Sequence, residues 1–242
     1  MGRWRETVVI LGTVAFLAAG CAHDPEERRG SIYEWKANPT AENVARIRAL
    51  LEDVDRDVRA TALNVLVTLD VEDSADIALA GLRDGDGFVR ATAAKLLGDL
   101  GRQEHAEFLV ERLSEDREPI VRQRAAEALT KLGGDAALAG LADGTGDPDD
   151  DVRLAAVKGL RKLDPGFAKP LLVRLLFEDA RWEIRVQAAT ALGLCRDPEV
   201  SSALEAARAD PNEFVRSAVA NALRHLESAL EEDREASKDE PS

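Results

Sequence analysis

The most concentrated group of metal-binding side chains is an acidic stretch from Asp143 to Asp151. It reads Asp-Gly-Thr-Gly-Asp-Pro-Asp-Asp-Asp, and carboxylate oxygens are ligands that calcium prefers. An EF-hand loop needs glycine at its sixth position and glutamate at its twelfth, and no register of this stretch supplies both. We therefore predict a turn between two helices and no resident metal, with a calcium loop as the alternative.

The other residues that could do chemistry are scattered. Only two cysteines and three histidines are present, so neither a disulfide framework nor a zinc site has enough ligands. His105 and His225 are far apart, and His23 precedes the periodic part of the chain. Cys195 occupies a position where a small apolar core residue is expected. No nucleophile elbow, zinc-protease helix or phosphate loop occurs, so we predict no catalytic residue and no cofactor.

The composition indicates the class of fold that holds these residues. The chain has 242 residues, 45% of them hydrophobic but only 4% aromatic, and a formal net charge of −14. Abundant alanine and leucine with so few rings favour an all-helical body. The acidity argues against a nucleic-acid partner, because such a protein needs a basic surface to displace counterions from phosphates.

The first twenty-one residues have the features of an export signal. A basic start leads into an apolar run from Thr7 to Ala19, which is too short to span a bilayer comfortably, and then to Gly20 and Cys21. The segment Leu-Ala-Ala-Gly-Cys resembles the lipobox of bacterial lipoproteins. This resemblance implies cleavage after residue 20 and lipid attachment at Cys21, in the cell envelope. Ala22 would permit transfer to the periplasmic face of the outer membrane if the cell is Gram-negative. An ordinary secretory signal is the alternative.

Polar segments are predicted at both ends of the mature chain. Residues 21–38 are expected to be a polar tether, whose Tyr33 and Trp35 cover the exposed edge of the folded part. Residues 228–242 are expected to extend or cap the last helix and then form an acidic tail. The folded domain is therefore predicted to span residues 39–227.

Aspartate and arginine recur six positions apart along this domain. Each arginine follows valine or isoleucine, and successive arginines are 31 or 32 residues apart. The pairs are Asp53 with Arg59, Asp84 with Arg90, Asp116 with Arg122, Asp147 with Arg153, Asp179 with Arg185, and Asp210 with Arg216. A leucine also stands seven positions after each arginine. The chain therefore contains about six internal repeats.

The apolar spacing predicts two helices in each repeat. In the third repeat Val121, Ala125, Leu129 and Leu132 fall on one stripe of a helix that contains the arginine. A second apolar run precedes each aspartate. Each repeat thus reads helix A, turn, helix B. One such hairpin cannot bury both of its apolar faces, so neighbouring repeats must stack.

The Asp and Arg pattern followed by alanine and leucine resembles the HEAT repeat, and its period is most similar to that of the short HEAT-like units of phycobilisome lyases. The resemblance covers residues 39–227 and implies an all-α, right-handed α-solenoid of about six two-helix repeats. In that family the turn aspartates and helix-B arginines form a ladder between successive repeats. The resemblance therefore implies a structural role for all twelve residues.

Helix B lines the concave side in this repeat class, and positions one, five and nine after the arginine share one of its faces. In the middle repeats this face is basic and apolar although the chain is acidic. The candidate partner-binding residues are Lys131, Leu154, Lys158, Arg161, Lys162 and Val186. An acidic peptide or a partner helix would fit such a surface. The alternative is that these lysines only balance nearby acids.

Together these features favour a lipid-anchored envelope scaffold that binds a protein partner and has no catalytic activity. The alternative function is that of an enzyme or enzyme accessory resembling the HEAT-like chromophore lyases.

Overall fold

The computed structural model describes residues 24–236, and this part of the chain contains thirteen α-helices and no strand. Four short 3-10 segments lie at residues 50–52, 103–105, 198–200 and 207–209. The helices are α1 (Pro25–Ala37), α2 (Ala41–Ala49), α3 (Arg56–Thr68), α4 (Ser74–Gly81), α5 (Gly87–Leu100), α6 (Ala106–Glu115), α7 (Pro119–Leu132), α8 (Gly134–Gly144), α9 (Asp150–Leu163), α10 (Lys169–Glu178), α11 (Trp182–Gly193), α12 (Ser201–Ala206) and α13 (Glu213–Ala236).

The helices form hairpins in the order that the repeats predict. The A helices are α2, α4, α6, α8, α10 and α12, and each is followed by its B helix. The chain divides into two compact units at the boundary between Leu97 and Gly98, within α5. The first unit contains α1 to α4 and most of α5, and the second contains the end of α5 and α6 to α13.

Turn residues set where the B helices begin. The side chain of Asp55 accepts hydrogen bonds from the amides of Asp57 and Val58, and Asp149 caps α9 in the same way. In α7 the first helical position is Pro119, whose fixed φ suits a helix start and whose missing N–H has no partner to lose there. The helix starts are therefore encoded locally, independently of the packing.

Helices of the same kind pack side by side in the second unit. The B helices α7, α9, α11 and α13 contact one another in sequence, and the A helix α6 contacts α8. Small residues allow the B helices to approach closely. A Cβ atom at Gly193 of α11 would lie 2.6 Å from Cα of Ala222 in α13, closer than two non-bonded carbon atoms can approach. The Ala-rich composition thus serves this close packing.

The core of the second unit consists of aliphatic side chains from both kinds of helix. Leu172 of α10, Ile184 of α11 and Val219 of α13 belong to one cluster and are fully buried. Burial of each such side chain stabilises the fold by about 1.5–3 kcal/mol.

The prediction of an all-α fold built from two-helix repeats is confirmed for the described residues. The prediction of a polar tether over residues 21–38 is wrong for Pro25–Ala37, which form α1. Pro25 stands at the first helical position and two glutamates follow it in the first turn, both of which favour a helix start. The helix is retained because Ile32 and Arg28 are buried against the repeat that follows.

Candidate functional site

The predicted ladder is built from bidentate ion pairs between successive repeats. Arg122 of α7 donates from Nε to Oδ2 of Asp147 at 2.7 Å and from Nη2 to Oδ1 at 2.9 Å. Its third nitrogen, Nη1, donates to the backbone carbonyl of Asp116 at 2.9 Å. One guanidinium therefore holds the turn of its own repeat and the turn of the next.

The same bidentate geometry recurs within each unit. The first unit contains the pairs Arg28 with Asp53 and Arg59 with Asp84, and the second contains Arg122 with Asp147, Arg153 with Asp179, and Arg185 with Asp210. Arg90 also donates from Nη1 to the carbonyl of Asp84 at 2.9 Å. These contacts lie within the fold, so we assign the ladder a structural role.

Each ladder aspartate also organises its own turn. Oδ1 of Asp84 accepts from the amide of Asp86 at 2.8 Å while its carboxylate receives Arg59. Burial of the carboxyl raises the pKa of Asp84, but the hydrogen bonds from Arg59 and the Asp86 amide outweigh burial and hold that pKa below its ordinary value. The pKa of Asp210 is lowered in the same way, by Arg185 and the amide of Asn212 against the effect of burial. Both carboxylates are thus ionised at neutral pH.

The acidic stretch from Asp143 to Asp151 uses its carboxylates within the protein. Asp147 pairs with Arg122, Asp149 caps α9, and Asp151 accepts from Nη1 of Arg181 at 2.6 Å. Within residues 24–236, no group of three or more acidic, histidine or cysteine side chains is arranged to hold a metal ion. The stretch is a turn between α8 and α9, as predicted.

Cys195 lies just after α11 and packs against the core of the second unit. Its Sγ donates to the carbonyl of Pro165 at 3.2 Å. Burial raises the pKa of the thiol to about 11, so it is protonated at neutral pH and is a poor nucleophile.

The predicted partner-binding residues meet in a groove between α7 and α9. This groove has a volume of about 520 Å³ and contains five of the six candidates: Lys131, Leu154, Lys158, Arg161 and Lys162. Gln123 and Thr130 of α7 also line it, as does Leu194 after α11. The sixth candidate, Val186, packs against the core cluster instead of lining this groove.

The cations of the groove differ in whether an acidic side chain forms an ion pair with them. Lys131 donates to Oδ1 of Asp99 at 2.5 Å, so for this residue the alternative of charge balance fits. In the described part of the chain, Lys158, Arg161 and Lys162 have no acidic partner within salt-bridge distance, and Nε of Arg161 is buried without a hydrogen bond. Two acids also line the groove, Glu127 and Asp151, but they pair with Arg124 and Arg181. Three cations without an ion pair next to Leu154 and Leu194 form a surface that can bind an acidic, partly apolar ligand.

Arg28 occupies a ladder position that the sequence pattern did not predict. Its side chain is 8% exposed and that of its partner Asp53 is 6% exposed, so this pair is as sequestered as any other rung. Arg28 lies 31 positions before Arg59, which is the repeat spacing itself. The spacing could have revealed α1. Neither the preceding aspartate nor the following leucine of the repeat is present there, because Ala22 and Trp35 occupy those positions.

Several predicted features lie outside the described residues. They are the signal segment 1–20, the lipid attachment residue Cys21, His23, and the end of the acidic tail at residues 237–242. Among the helices of residues 24–236, none combines the length and the apolar character needed to cross a bilayer.

Comparison with known proteins identifies the repeats. The sequence model of HEAT repeats matches residues 76–161 and 138–224. No curated protein sequence matches the chain.

Solved structures show the same fold. The archaeal HEAT-like repeats protein from Thermococcus onnurineus NA1 is 13% identical, with a TM-score of 0.57 over 86% of this chain and 98% of that one. The YibA protein of E. coli is 19% identical, with a TM-score of 0.58 over 83% and 77% of the two chains. A designed armadillo repeat protein in complex with the peptide (KR)4 is 19% identical, with a TM-score of 0.52 over 76% and 99%.

Proposed function

The chain belongs to the HEAT-repeat family, and from this premise we propose that it is a non-catalytic scaffold of the cell envelope that holds an acidic segment of a partner protein in the groove between α7 and α9. Lipid on Cys21 anchors it to the membrane, at the periplasmic face of the outer membrane in a Gram-negative cell. Nucleic acid is not among its partners.

The proposal rests on the cations of the groove that form no ion pair. The chain has a net charge of −14, yet Lys158, Arg161 and Lys162 line one cavity and form no ion pair among the described residues. The two acids in the same lining, Glu127 and Asp151, pair with other arginines. Unpaired like charges repel one another, so an acidic ligand would relieve a cost that the free protein bears. Leu154 and Leu194 add apolar contact that a simple ion would not use.

Peptide binding by a related fold supports the choice of a protein partner. The designed armadillo repeat protein that shares this fold was solved with the peptide (KR)4. That peptide is basic, whereas the groove described above is basic itself. We therefore infer a peptide or helix with acidic side chains, at least one of them next to an apolar residue that reaches Leu154.

The groove is tested by reversing one of its charges. We expect Lys158→Glu to lose the proteins that the wild-type chain captures from solubilised envelopes. The matched control is Arg174→Glu, which reverses an exposed cation of the A helix α10 that forms no ion pair with any residue from 24 to 236. The proposal is wrong if both variants capture the same proteins in the same yield as wild type.

The anchor is tested separately by cell fractionation. Cys21→Ala should move the protein from the membrane fraction to the soluble fraction, because acyl chains supply the membrane affinity. Cys195→Ala removes the other cysteine and should leave the protein with the membrane. A Cys21→Ala variant that still fractionates with the membrane contradicts the anchor. Pigment that co-purifies with the chain would instead favour a role like that of the chromophore lyases.

A further inference from the structure

Helix α1 packs against α2 and α3 of the first repeat. Only Arg28 and Ile32 of its 13 residues are buried. Arg28 donates from Nε and Nη2 to the carboxylate of Asp53, at 2.8 and 2.9 Å, and so fills the position that a preceding repeat would fill. Gly30, in the middle of the helix, lowers its intrinsic stability. The helix therefore covers the first turn aspartate through two buried side chains.

The last ladder arginine, Arg216, makes the same backbone contacts as the arginines before it, but within the described residues no aspartate pairs with it. Nη1 of Arg216 donates to the carbonyls of Asp210 and Pro211 at 2.8 and 3.0 Å. Nη1 of Arg185 binds the corresponding carbonyls one repeat earlier, at 2.9 and 3.2 Å. Nε and Nη2 of Arg185 bind Asp210, whereas those of Arg216 have no partner within the described residues.

One small and one basic residue of α13 follow Arg216 along the same face of the helix, and Glu213 and Glu227 flank them. Arg216, Ala220 and Arg224 follow one another at intervals of four residues, and we call them the terminal stripe. The corresponding residues of α11 are Arg185, the buried Ala189, and Gly193, which packs against α13. Neither arginine of the terminal stripe has an acidic partner in the described part of the chain.

From these two ends we propose that α1 is a detachable end cap, and that when it leaves Asp53, the first repeat of one copy docks on the terminal stripe of a second copy. Asp53 then takes the place opposite Arg216 that Asp210 takes opposite Arg185. With α1 in place, Arg28 occupies Asp53 and this head-to-tail association is blocked. The proposal is independent of the groove between α7 and α9.

A second copy is the occupant that the charges favour. The first turn carries Glu52, Asp53 and Asp55, and the terminal stripe carries two arginines. The five pairs within the units show that this fold positions a turn aspartate for bidentate contact with such an arginine. A head-to-tail contact repeats this pairing and leaves one end of each copy free to bind a further copy.

The test compares association before and after the cap is opened. The purified full chain is studied by sedimentation velocity over a concentration series, alongside a variant carrying Arg28→Ala and Ile32→Ser. We expect the parent to remain monomeric and the opened variant to reach at least the mass of a dimer as concentration rises. Adding Arg216→Ala should restore the monomer. The matched control, Arg208→Ala, removes an arginine from the same terminal repeat, whose ion pair with Glu205 is exposed, and it should leave association unchanged.

Two results overturn the proposal: an opened variant with native helicity that stays monomeric, or association that persists without Arg216. If the opened variant loses helicity throughout, the milder Ile32→Ala change replaces it, and hydrogen exchange of the α1 amides shows whether the cap opens. A folded Ile32→Ala variant with rapidly exchanging α1 amides and no association also overturns the proposal.

Discussion

Arg185 donates two parallel hydrogen bonds to the carboxylate of Asp210, from Nε at 2.8 Å and from Nη2 at 3.0 Å. The same carboxylate accepts from the amide of Asn212 at 2.8 Å. One aspartate therefore joins the preceding repeat to the backbone that starts its own helix B. Losing it removes a contact between repeats and a helix-starting turn together.

Removing a ladder charge should destabilise the second unit. Asp147 and Arg122 have side chains that are 7% and 11% exposed, so Asp147→Asn leaves a nearly buried guanidinium without its counterion. We expect a loss of about 2–4 kcal/mol in the free energy of unfolding, measured by urea denaturation. Asp150→Asn is the control, because its ion pair with Arg153 is at the surface, and it should cost less than about 1 kcal/mol. Equal losses in the two variants would show that burial of the pair is unimportant.

The stabilising effect of the ladder should disappear in acid. The pKa of Asp210 is lower in the folded chain than its ordinary value, so the folded state releases that proton more readily than the unfolded state. Its contribution to stability is therefore full above the ordinary pKa of about 4 and is lost as pH falls through the lower folded value.

We expect Arg185→Gln to lower the thermal midpoint near neutral pH, and the difference from wild type to shrink toward about pH 3. Arg208→Gln serves as the comparison, since its pair with Glu205 is exposed on the surface, and its effect should be small throughout. A difference for Arg185→Gln that is constant across this range would contradict the lowered pKa.

Adding one methyl group between α11 and α13 should separate them. At Gly193 a Cβ would lie 2.6 Å from Cα of Ala222, so Gly193→Ala must displace a helix backbone. We expect a loss of about 1–3 kcal/mol in the free energy of unfolding, measured by thermal denaturation. Gly30→Ala has open space around the new methyl group and should stabilise α1 by up to about 1 kcal/mol. A Gly193→Ala variant with the same free energy of unfolding as wild type would contradict the close approach of α11 and α13.

The Cys195 thiol should react slowly. With its pKa raised by burial to about 11, only a minute fraction is thiolate at neutral pH. We expect iodoacetamide to modify Cys195 far more slowly than it modifies free glutathione at the same pH, and the rate to rise with pH. Peptide mass spectrometry follows this cysteine separately from Cys21. Modification as fast as that of glutathione would show that the thiol is accessible and its pKa ordinary.

The fold could be predicted because its signals are repeated. Asp84 and Arg90 alone would be one of many acid and base pairs, but the same spacing in every repeat singles out the ladder. The start of α9 at Asp149 was equally predictable, because a capping side chain acts on the nearest amides. Helix α1 was harder to predict, because its register rests on Arg28 and Ile32 alone in an otherwise polar segment.

The groove was predictable only in part. Leu154, Lys158 and Lys162 follow one another at four-residue intervals, and helical geometry places them together whatever surrounds them. Val186 has the corresponding position in α11 and, like Leu154, packs against the core, but it does not line the groove between α7 and α9. Whether Lys131 has a counterion likewise depends on Asp99, which lies 32 positions earlier in the chain.

The ladder makes the repeats interchangeable. Within each unit, successive arginines donate forward and the aspartates accept from behind, so these repeat boundaries have the same pair of connecting groups. Deleting residues 147–178, from Asp147 to the residue before Asp179, would bring Asp179 to the place opposite Arg122 that Asp147 now holds. A gene for this chain can therefore gain or lose whole repeats by unequal recombination without leaving a broken connection, and the length of the array can change independently of its bonding.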